Sequence, residues 1–287
     1  MHKKELVMKD EKVRLDTLVV EQGLAETREK AKRMIMAGMI YSNDERLDKP
    51  GVKIPASTPL QVKGEKIRYV SRGGFKLEKA LKEFDVSVEG KILIDIGSST
   101  GGFTDCALQN GAKYSYAVDV GYNQLAWKLR SDPRVIVMER TNFRHLKPED
   151  LSKDMPEFAV IDVSFISLKI MLPVLQNLLV PDSDVVALIK PQFEAGKELV
   201  GKKGIVRDPK VHIQVIEDIV QFATSIGYHA INLTYSPITG GDGNIEFLIH
   251  LKWDGIKDKQ GINQIPISVE EIVRLAHTEL KKGSREE

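Results

Sequence analysis

Cysteine is nearly absent: Cys106 stands alone in 287 residues, so no disulfide can close within the chain, which suits a reducing compartment. Its neighbours Phe103 and Ala107 mark it as a small buried residue. No stretch approaches the run of about 20 apolar residues that a membrane-spanning helix requires. The opening Met1-His2-Lys3-Lys4-Glu5-Leu6 carries cations with no apolar segment behind them, so a cytoplasmic protein is expected. The histidines show no ligand spacing; no metal is expected, and His145 and His250 read as surface or satisfied residues. The G-x-G-x-x-G spacing of dinucleotide sites is missing too, which disfavours a nicotinamide or flavin cofactor.

Net charge of one sign is lacking as well, at a formal +1, until it is divided along the chain. Residues 1–70 hold 15 Lys and Arg against 11 Asp and Glu, leaving 27 against 30 for the rest. The basic excess lies at the front, where it is either an RNA-facing surface or a solvated segment. With 42% hydrophobic and 29% charged residues the composition is that of an ordinary globular protein. The length predicts one main domain of roughly 200 residues and a smaller companion.

Leu15, Leu18 and Val19 share one helical face, and Gly23 is placed to end that helix. A second short helix follows, with Thr27 as N-cap, Ala31, Met34 and Ile35 at helical spacing and Gly38 closing it. Its other faces carry Arg28, Lys30, Lys32 and Arg33, cations enough for a phosphate-contacting surface. Strand-like pieces at Met39-Ile40-Tyr41, Val52-Lys53-Ile54 and Leu60-Gln61-Val62 complete a small α+β unit ending near Gly64.

A helical pattern from Leu77 to Phe84 opens the larger part. Strands at Ile92–Ile96, Tyr116–Asp119, Val135–Met138, Phe158–Asp162 and Asp184–Ile189 then alternate with helices from Phe103, around Gln124 to Leu129, within Leu168 to Leu179 and from about Val211 to Ile226. Such alternation predicts a parallel, doubly wound α/β sheet with helices on both faces. Ala230–Tyr235 and Ile245–Leu251, joined by a glycine-rich turn, are expected to pair as an antiparallel edge, and the tail from Val269 reads as a polar terminal helix.

The connection after the first strand, Asp95-Ile96-Gly97-Ser98-Ser99-Thr100-Gly101-Gly102-Phe103, uses small residues that let a ligand approach the backbone. A tight turn without a ligand would use them too; Asp119, ending the next strand where ribose hydroxyls could be bound, moves the balance toward a cofactor, with Asn142 beside its adenine. Lys76 just before the first helix, and Asp162, Lys190 and Glu246 at strand ends, occupy places where open α/β sheets hold ligands. Lys190 follows an apolar run and precedes Pro191, so its ammonium is expected at a partly desolvated sheet edge; taken alone, it could equally reach solvent on its long stem. Lys66–Lys76, with Arg72 before the pair Gly73-Gly74, reads as a linker, an RNA contact or both. Gly196–Arg207, with Lys202 and Lys203, is either a cationic flap over RNA or a solvated loop.

Two resemblances sharpen this. Arg14-Leu15-Asp16, the cationic second helix and Gly38-Met39-Ile40-Tyr41 resemble the S-four-type RNA-binding domain, which presents its basic helix to RNA. The ordered set Lys76, Asp162, Lys190, Glu246 resembles the Lys-Asp-Lys-Glu tetrad of FtsJ-type ribose 2′-O-methyltransferases. The chain is most similar to the TlyA family, once labelled haemolysins, on Ser71-Arg72-Gly73-Gly74-Phe75-Lys76-Leu77, the Asp95–Asp105 segment, Asp162-Val163-Ser164-Phe165-Ile166-Ser167-Leu168 and Ile189-Lys190-Pro191-Gln192-Phe193-Glu194. One departure is Tyr69, where some relatives carry tryptophan. The resemblance implies a Rossmann-like class I methyltransferase domain over 76–287 behind an RNA-binding domain over 1–64, joined by a linker over 65–75. It implies S-adenosylmethionine as cofactor, bound by Asp95, the 97–103 loop, Asp119 and Asn142, and ribosomal RNA or ribosomal subunits as partner. Lys76, Asp162, Lys190 and Glu246 become the catalytic set, with Lys190 as base, and Arg14, Arg28, Lys30, Lys32, Arg33, Arg72, Lys202 and Lys203 the RNA contacts.

Competing readings are weaker. A non-catalytic ribosome-assembly factor has no need of the full tetrad. A membrane-lytic protein lacks an apolar span and a strongly amphipathic cationic helix. A small-molecule methyltransferase leaves the basic front without a purpose.

Overall fold

Both amino-terminal helices form where the apolar spacing places them, in a computed structural model that describes residues 11–36, 38–43, 45–62, 68–240, 243–257 and 259–283. The chain divides into two units, Met1–Arg68 and Tyr69–Glu287. In the first, β1 (Lys12–Arg14) runs into α1 (Leu15–Glu21), followed by α2 (Arg28–Met36), β2 (Ile40–Ser42), β3 (Glu45–Arg46), β4 (Lys53–Pro55) and β5 (Gln61–Val62). β1 pairs with β4, and β2 lies between β3 and β5, all antiparallel. Leu15, Leu18 and Val19 of α1 pack on Ala31, Met34 and Ile35 of α2, with Ile40 and Leu60 beneath.

Asp16 is wholly buried in this unit. It accepts from Arg14 Nε at 3.0 Å and Nη2 at 2.9 Å, and from Arg28 Nη2 at 3.0 Å. The Arg14 guanidinium, joined by Arg28, holds the Asp16 carboxyl well below the ordinary carboxylate range despite burial. The Arg-Leu-Asp signature is therefore an internal latch.

The second unit contains α3 (Gly73–Glu83), β6 (Ile92–Ile96), α4 (Gly102–Gln109), β7 (Tyr114–Val118), α5 (Trp127–Arg130), β8 (Val135–Met138), β9 (Phe158–Ile161), α6 (Leu168–Leu175), β10 (Ser183–Ile189), α7 (Pro191–Glu194), α8 (Pro209–Ser225), β11 (Tyr228–Tyr235), β12 (Phe247–Trp253) and α9 (Val269–Gly283). Its sheet runs β11-β12-β10-β9-β6-β7-β8. β12 is antiparallel to both neighbours, and the remaining pairs are parallel. The antiparallel pair is thus present, but β12 is inserted beside β10 and β11 forms the edge. β6, β9 and β10 are buried along their whole length, which is why they read as apolar runs without alternation. Ile92, Ile94 and Ile96 face a core built with α6, α8 and α9. Leu93 faces the opposite core, with Leu77 and Ala80 of α3 and Phe103 and Ala107 of α4. Cys106 is buried there.

Three elements differ from the sequence expectation. α3 begins at Gly73, so Lys76 lies within its first turn instead of ahead of it. The glycine pair that reads as a turn is a contact surface: a Cβ on Gly74 would come within 2.3 Å of the buried Tyr69 ring. α5 starts only at Trp127, because the Glu139 carboxylate accepts the backbone N–H groups of Asn123, Gln124 and Leu125 and keeps that stretch a loop. α9 is amphipathic, burying Ile272, Val273 and Ala276.

A histidine pair joins α8 to α9. His212 Nε2 lies 3.1 Å from the Val206 carbonyl, which can only accept, so that nitrogen carries the proton; Nδ1 then accepts from His277 Nε2 at 3.0 Å. Burial, reinforced by His277, pushes His212 down from 6.5 to about 4. The fold therefore stabilises the neutral ring: the contribution is complete above the ordinary value of 6.5 and is lost as pH falls toward 4. Thermal melts near neutrality and near about pH 5 are expected to show the wild type losing several degrees in acid, and His212→Gln losing most of that dependence. Equal slopes for the two proteins would show that the pair does not control acid stability.

Candidate active site

The order of the sheet reverses between β6 and β9, since the chain winds outward through β7 and β8 on one side and through β10 on the other. Ligands bind outside the carboxyl ends of the strands at such a reversal. Ile96 is in register with Ile161, and Ile189 with Phe247, so the next positions along the edge are Gly97 on β6, Asp162 on β9, Lys190 on β10 and, on the antiparallel β12, Glu246. Register sets Lys190 beside Glu246, while Asp162, level with Leu188, stands two residues back along the neighbouring strand, and the first turn of α3 brings Lys76 over them.

The contacts are direct. Lys76 Nζ is 2.7 Å from Glu246 Oε2 and 3.3 Å from Asp162 Oδ2, while Lys190 Nζ is 2.5 Å from Asp162 Oδ1. Lys190 also lies 3.4 Å from Ser164 Oγ. Lys76, Lys190 and Glu246 are buried. Asp162 bridges both lysines, whereas Glu246 pairs with Lys76. Burial works against the Lys76 ammonium, but Asp162 and Glu246 outweigh it and hold its pKa above the ordinary lysine value. Burial likewise works against the Asp162 carboxylate, and the two ammonium groups outweigh it, so that its pKa is lowered. The two carboxylates therefore hold Lys76 as a cation.

Lys76, Asp162 and Lys190 open onto a cavity of about 370 Å³ lined also by Asp95, Gly97, Ser98, Ser99, Thr100, Gly102 and Phe103, with Glu246 behind them. Gly97 takes φ +84°, and a Cβ there would stand 2.4 Å from the Asp162 carbonyl oxygen, so the glycine lets β6 and β9 come together beneath the lysines. Asp95 Oδ2 accepts from the backbone and hydroxyl of Thr104 at 3.0 and 2.7 Å, and Oδ1 is buried with no partner. Burial pushes this carboxyl up to about 7. Asp119 accepts from Ser99 N at 2.8 Å and Gly121 N at 2.6 Å, which ties the glycine loop to the end of β7. Asp119 and Asn142 do not line the cavity, and Asn142 accepts from Arg144 N at 3.2 Å, capping the turn that follows it. S-adenosylmethionine fits this site: the cavity has the size of small-ligand pockets, its floor is a loop of small residues, and Asp95 offers a buried acceptor that awaits a donor.

Sequence reasoning missed part of the lining. Ser71, Ser164 and the stretch Ile238-Thr239-Gly240 also face the cavity. Ser71 and Ser164 stood inside motifs already singled out; Ile238–Gly240 could be found only from its proximity to Glu246, whose carboxylate a Cβ on Gly240 would meet. Arg72 lines the cavity as well. The other cations expected at RNA are dispersed. Arg14 and Arg28 hold Asp16; Lys30 and Lys32 pair with Glu26 and Glu29 at 3.2 and 3.0 Å; Arg33 is exposed; Lys202 and Lys203 are exposed on a short turn. His145 is exposed, and His250 sits buried with Nε2 3.0 Å from Asp184 Oδ1. Among the described residues no group of three or more His, Cys, Asp or Glu gathers as a metal site, and no helix is long and apolar enough to cross a membrane.

Comparison with known proteins gives the same division. Residues 69–253 match the FtsJ-like methyltransferase family, and residues 13–58 match the S4 domain. YqxC of Bacillus subtilis is 67% identical, with 96% of this chain and 98% of its own covered. A Mycobacterium tuberculosis protein named 16S/23S rRNA (cytidine-2′-O)-methyltransferase TlyA is 41% identical over 84% of this chain and 90% of its own. A solved Streptococcus thermophilus structure carrying a hemolysin name is 55% identical with a TM-score of 0.77, covering 96% of this chain and all of that one. With the family match spanning the sheet, the glycine loop and the buried lysine–carboxylate cluster, the chain belongs to the FtsJ-like methyltransferase family and carries an S4 domain in front of that domain.

Proposed function

We propose that this protein methylates ribose 2′-hydroxyls of ribosomal RNA, on cytidine in the small subunit, the large subunit or both, in the cytoplasm, with S-adenosylmethionine as donor. The observation that carries this reading is the Lys76–Asp162–Lys190–Glu246 cluster at the sheet edge, whose first three members open to the cavity of the glycine loop. The cytidine assignment draws on the name of the TlyA relative.

A ribose hydroxyl is a weak nucleophile at neutral pH, so the protein must orient it and accept its proton. S-adenosylmethionine supplies a methyl group already activated by the attached sulfonium. Lys76, held as a cation by two carboxylates, is suited to donate to the ribose oxygen and fix its direction. Lys190 has a single carboxylate partner and a serine hydroxyl, and is the residue assigned to take the hydroxyl proton. Asp162 keeps the two ammonium groups at a fixed separation, and Glu246 compensates the more enclosed one. Arg72 at the rim and the exposed cations of α2, Lys30, Lys32 and Arg33, are assigned to RNA phosphates, together with Lys202 and Lys203. Arg14 and Arg28 act indirectly, by holding Asp16 under α2.

The test is transfer of radiolabelled methyl from S-adenosylmethionine to ribosomal subunits that lack the modification. Label is expected in RNA, at an alkali-resistant linkage, and in 2′-O-methylcytidine after digestion. Cofactor binding with no transfer to either subunit or to assembled ribosomes would replace this reading with that of a ribosome-assembly factor.

A further inference from the structure

Asp162 and Lys190 meet at 2.5 Å, yet each stands at the start of its own loop, and an ion pair by itself does not hold two loops in place. The loop after Asp162 is under strain. Phe165 adopts φ +64°, a left-handed conformation that a bulky side chain avoids, and its ring is 90% exposed, so little packing compensates. Something beyond Asp162 must keep Asp162–Ser167 in this shape.

We infer that Glu194 is a positioning residue that fastens the Asp162 loop to the Lys190 turn and so sets the geometry of the catalytic pair, an inference that rests on the methyltransferase reading above. Glu194 ends α7, the single turn that begins immediately after Lys190. Its backbone N–H donates to the Lys190 carbonyl at 3.2 Å, alongside that of Phe193 at 2.9 Å. Its half-buried carboxylate reaches across to the other loop: Oε2 accepts from Ser167 Oγ at 2.5 Å, and Oε1 accepts from Leu168 N at 2.8 Å. Ser167 in turn caps α6 by accepting from Lys169 N at 3.1 Å. One residue thus connects the backbone of Lys190 to the first turn of α6, and the loop between Asp162 and α6 is pinned at both ends. The ring of Phe193 against that of Phe165, centroids 4.8 Å apart, is the second contact between the same two loops. Glu194 does not line the cavity, so its effect passes through the residues it holds.

Methyl transfer to ribosomal subunits separates this role from a merely structural one. Glu194→Ala is expected to lower kcat by about tenfold or more, because small displacements of paired catalytic groups are costly, while KM for RNA and for cofactor stays within about twofold. Glu194→Gln can still accept from Leu168 N and can donate to Ser167 Oγ, and is expected to recover most of the lost kcat. A kcat for Glu194→Ala within about twofold of wild type, or a glutamine variant as deficient as the alanine one, overturns the inference. Should Glu194→Ala fail to fold, Ser167→Ala decides: a fall in kcat at unchanged KM supports the clamp, and unchanged kcat overturns it. Wild-type protein that transfers no methyl would overturn the methyltransferase reading and this inference with it, an outcome distinct from active wild type with indifferent variants.

Discussion

Lys190→Ala is expected to lower kcat for methyl transfer by about a hundredfold to ten-thousandfold, the range of a positioned proton acceptor, while cofactor affinity changes little. The geometry makes the variant clean. Without the Lys190 ammonium, Asp162 retains Lys76 at 3.3 Å and Lys76 retains Glu246 at 2.7 Å, so each remaining charged group keeps a contact although two carboxylates then share one ammonium. The informative companion is Lys190→Arg, which restores the positive charge and its contact with Asp162 but cannot lose a proton near neutral pH. If Lys190 accepts the hydroxyl proton, arginine is expected to be about as inactive as alanine in single-turnover measurements. An arginine variant with a substantial fraction of wild-type rate would show that this position contributes charge alone, and would move the proton to another acceptor.

Gly97→Ala is expected to destabilise the second unit by about 3 kcal/mol, from left-handed backbone strain together with a backbone collision. The alanine Cβ would lie 2.4 Å from the Asp162 carbonyl oxygen and 3.0 Å from its carbonyl carbon, and neither atom is the end of a flexible side chain. Relief requires the ends of β6 and β9 to part, and Asp162 is the residue that touches both lysines. Loss of stability and loss of methyl transfer are therefore expected together, and denaturant titration with the radiolabelled methyl-transfer assay measures both. An alanine variant of wild-type stability would mean that the glycine loop can move away from β9 without cost, and that the crevice is looser than its packing indicates.

Much of the second unit was legible because its information is local. Runs such as Val185–Ile189 are buried on both faces of a parallel sheet, and Asp162 and Lys190 are the first polar residues after such runs, so strand ends and site residues announce themselves together. What was not legible depends on contacts distant in sequence. That β12 inserts beside β10 is a matter of which strand edge remains free, which no local pattern encodes. The glycines at 73 and 74 look like a turn until Tyr69 is seen against Gly74 and Phe103 beside Gly73. That Arg14 and Arg28 both pair with Asp16, fully buried between them, is a contact that residue type and spacing do not reveal. Asp119 was placed correctly at a strand end, yet its oxygens bind backbone N–H groups of the adjoining loops, a use that residue type and position cannot reveal.

The insertion of β12 also fixes when this site can come into being. Lys76 and Glu246 are 170 residues apart, and the strand that delivers Glu246 is the last of the sheet in chain order. While the chain is still being made, α3 and the β6–β10 part of the sheet can assemble with only Asp162 to balance two buried ammonium groups, an arrangement that opposes closure of the cavity. The four-residue cluster therefore cannot be complete until β12, the last strand of the sheet in chain order, has been made.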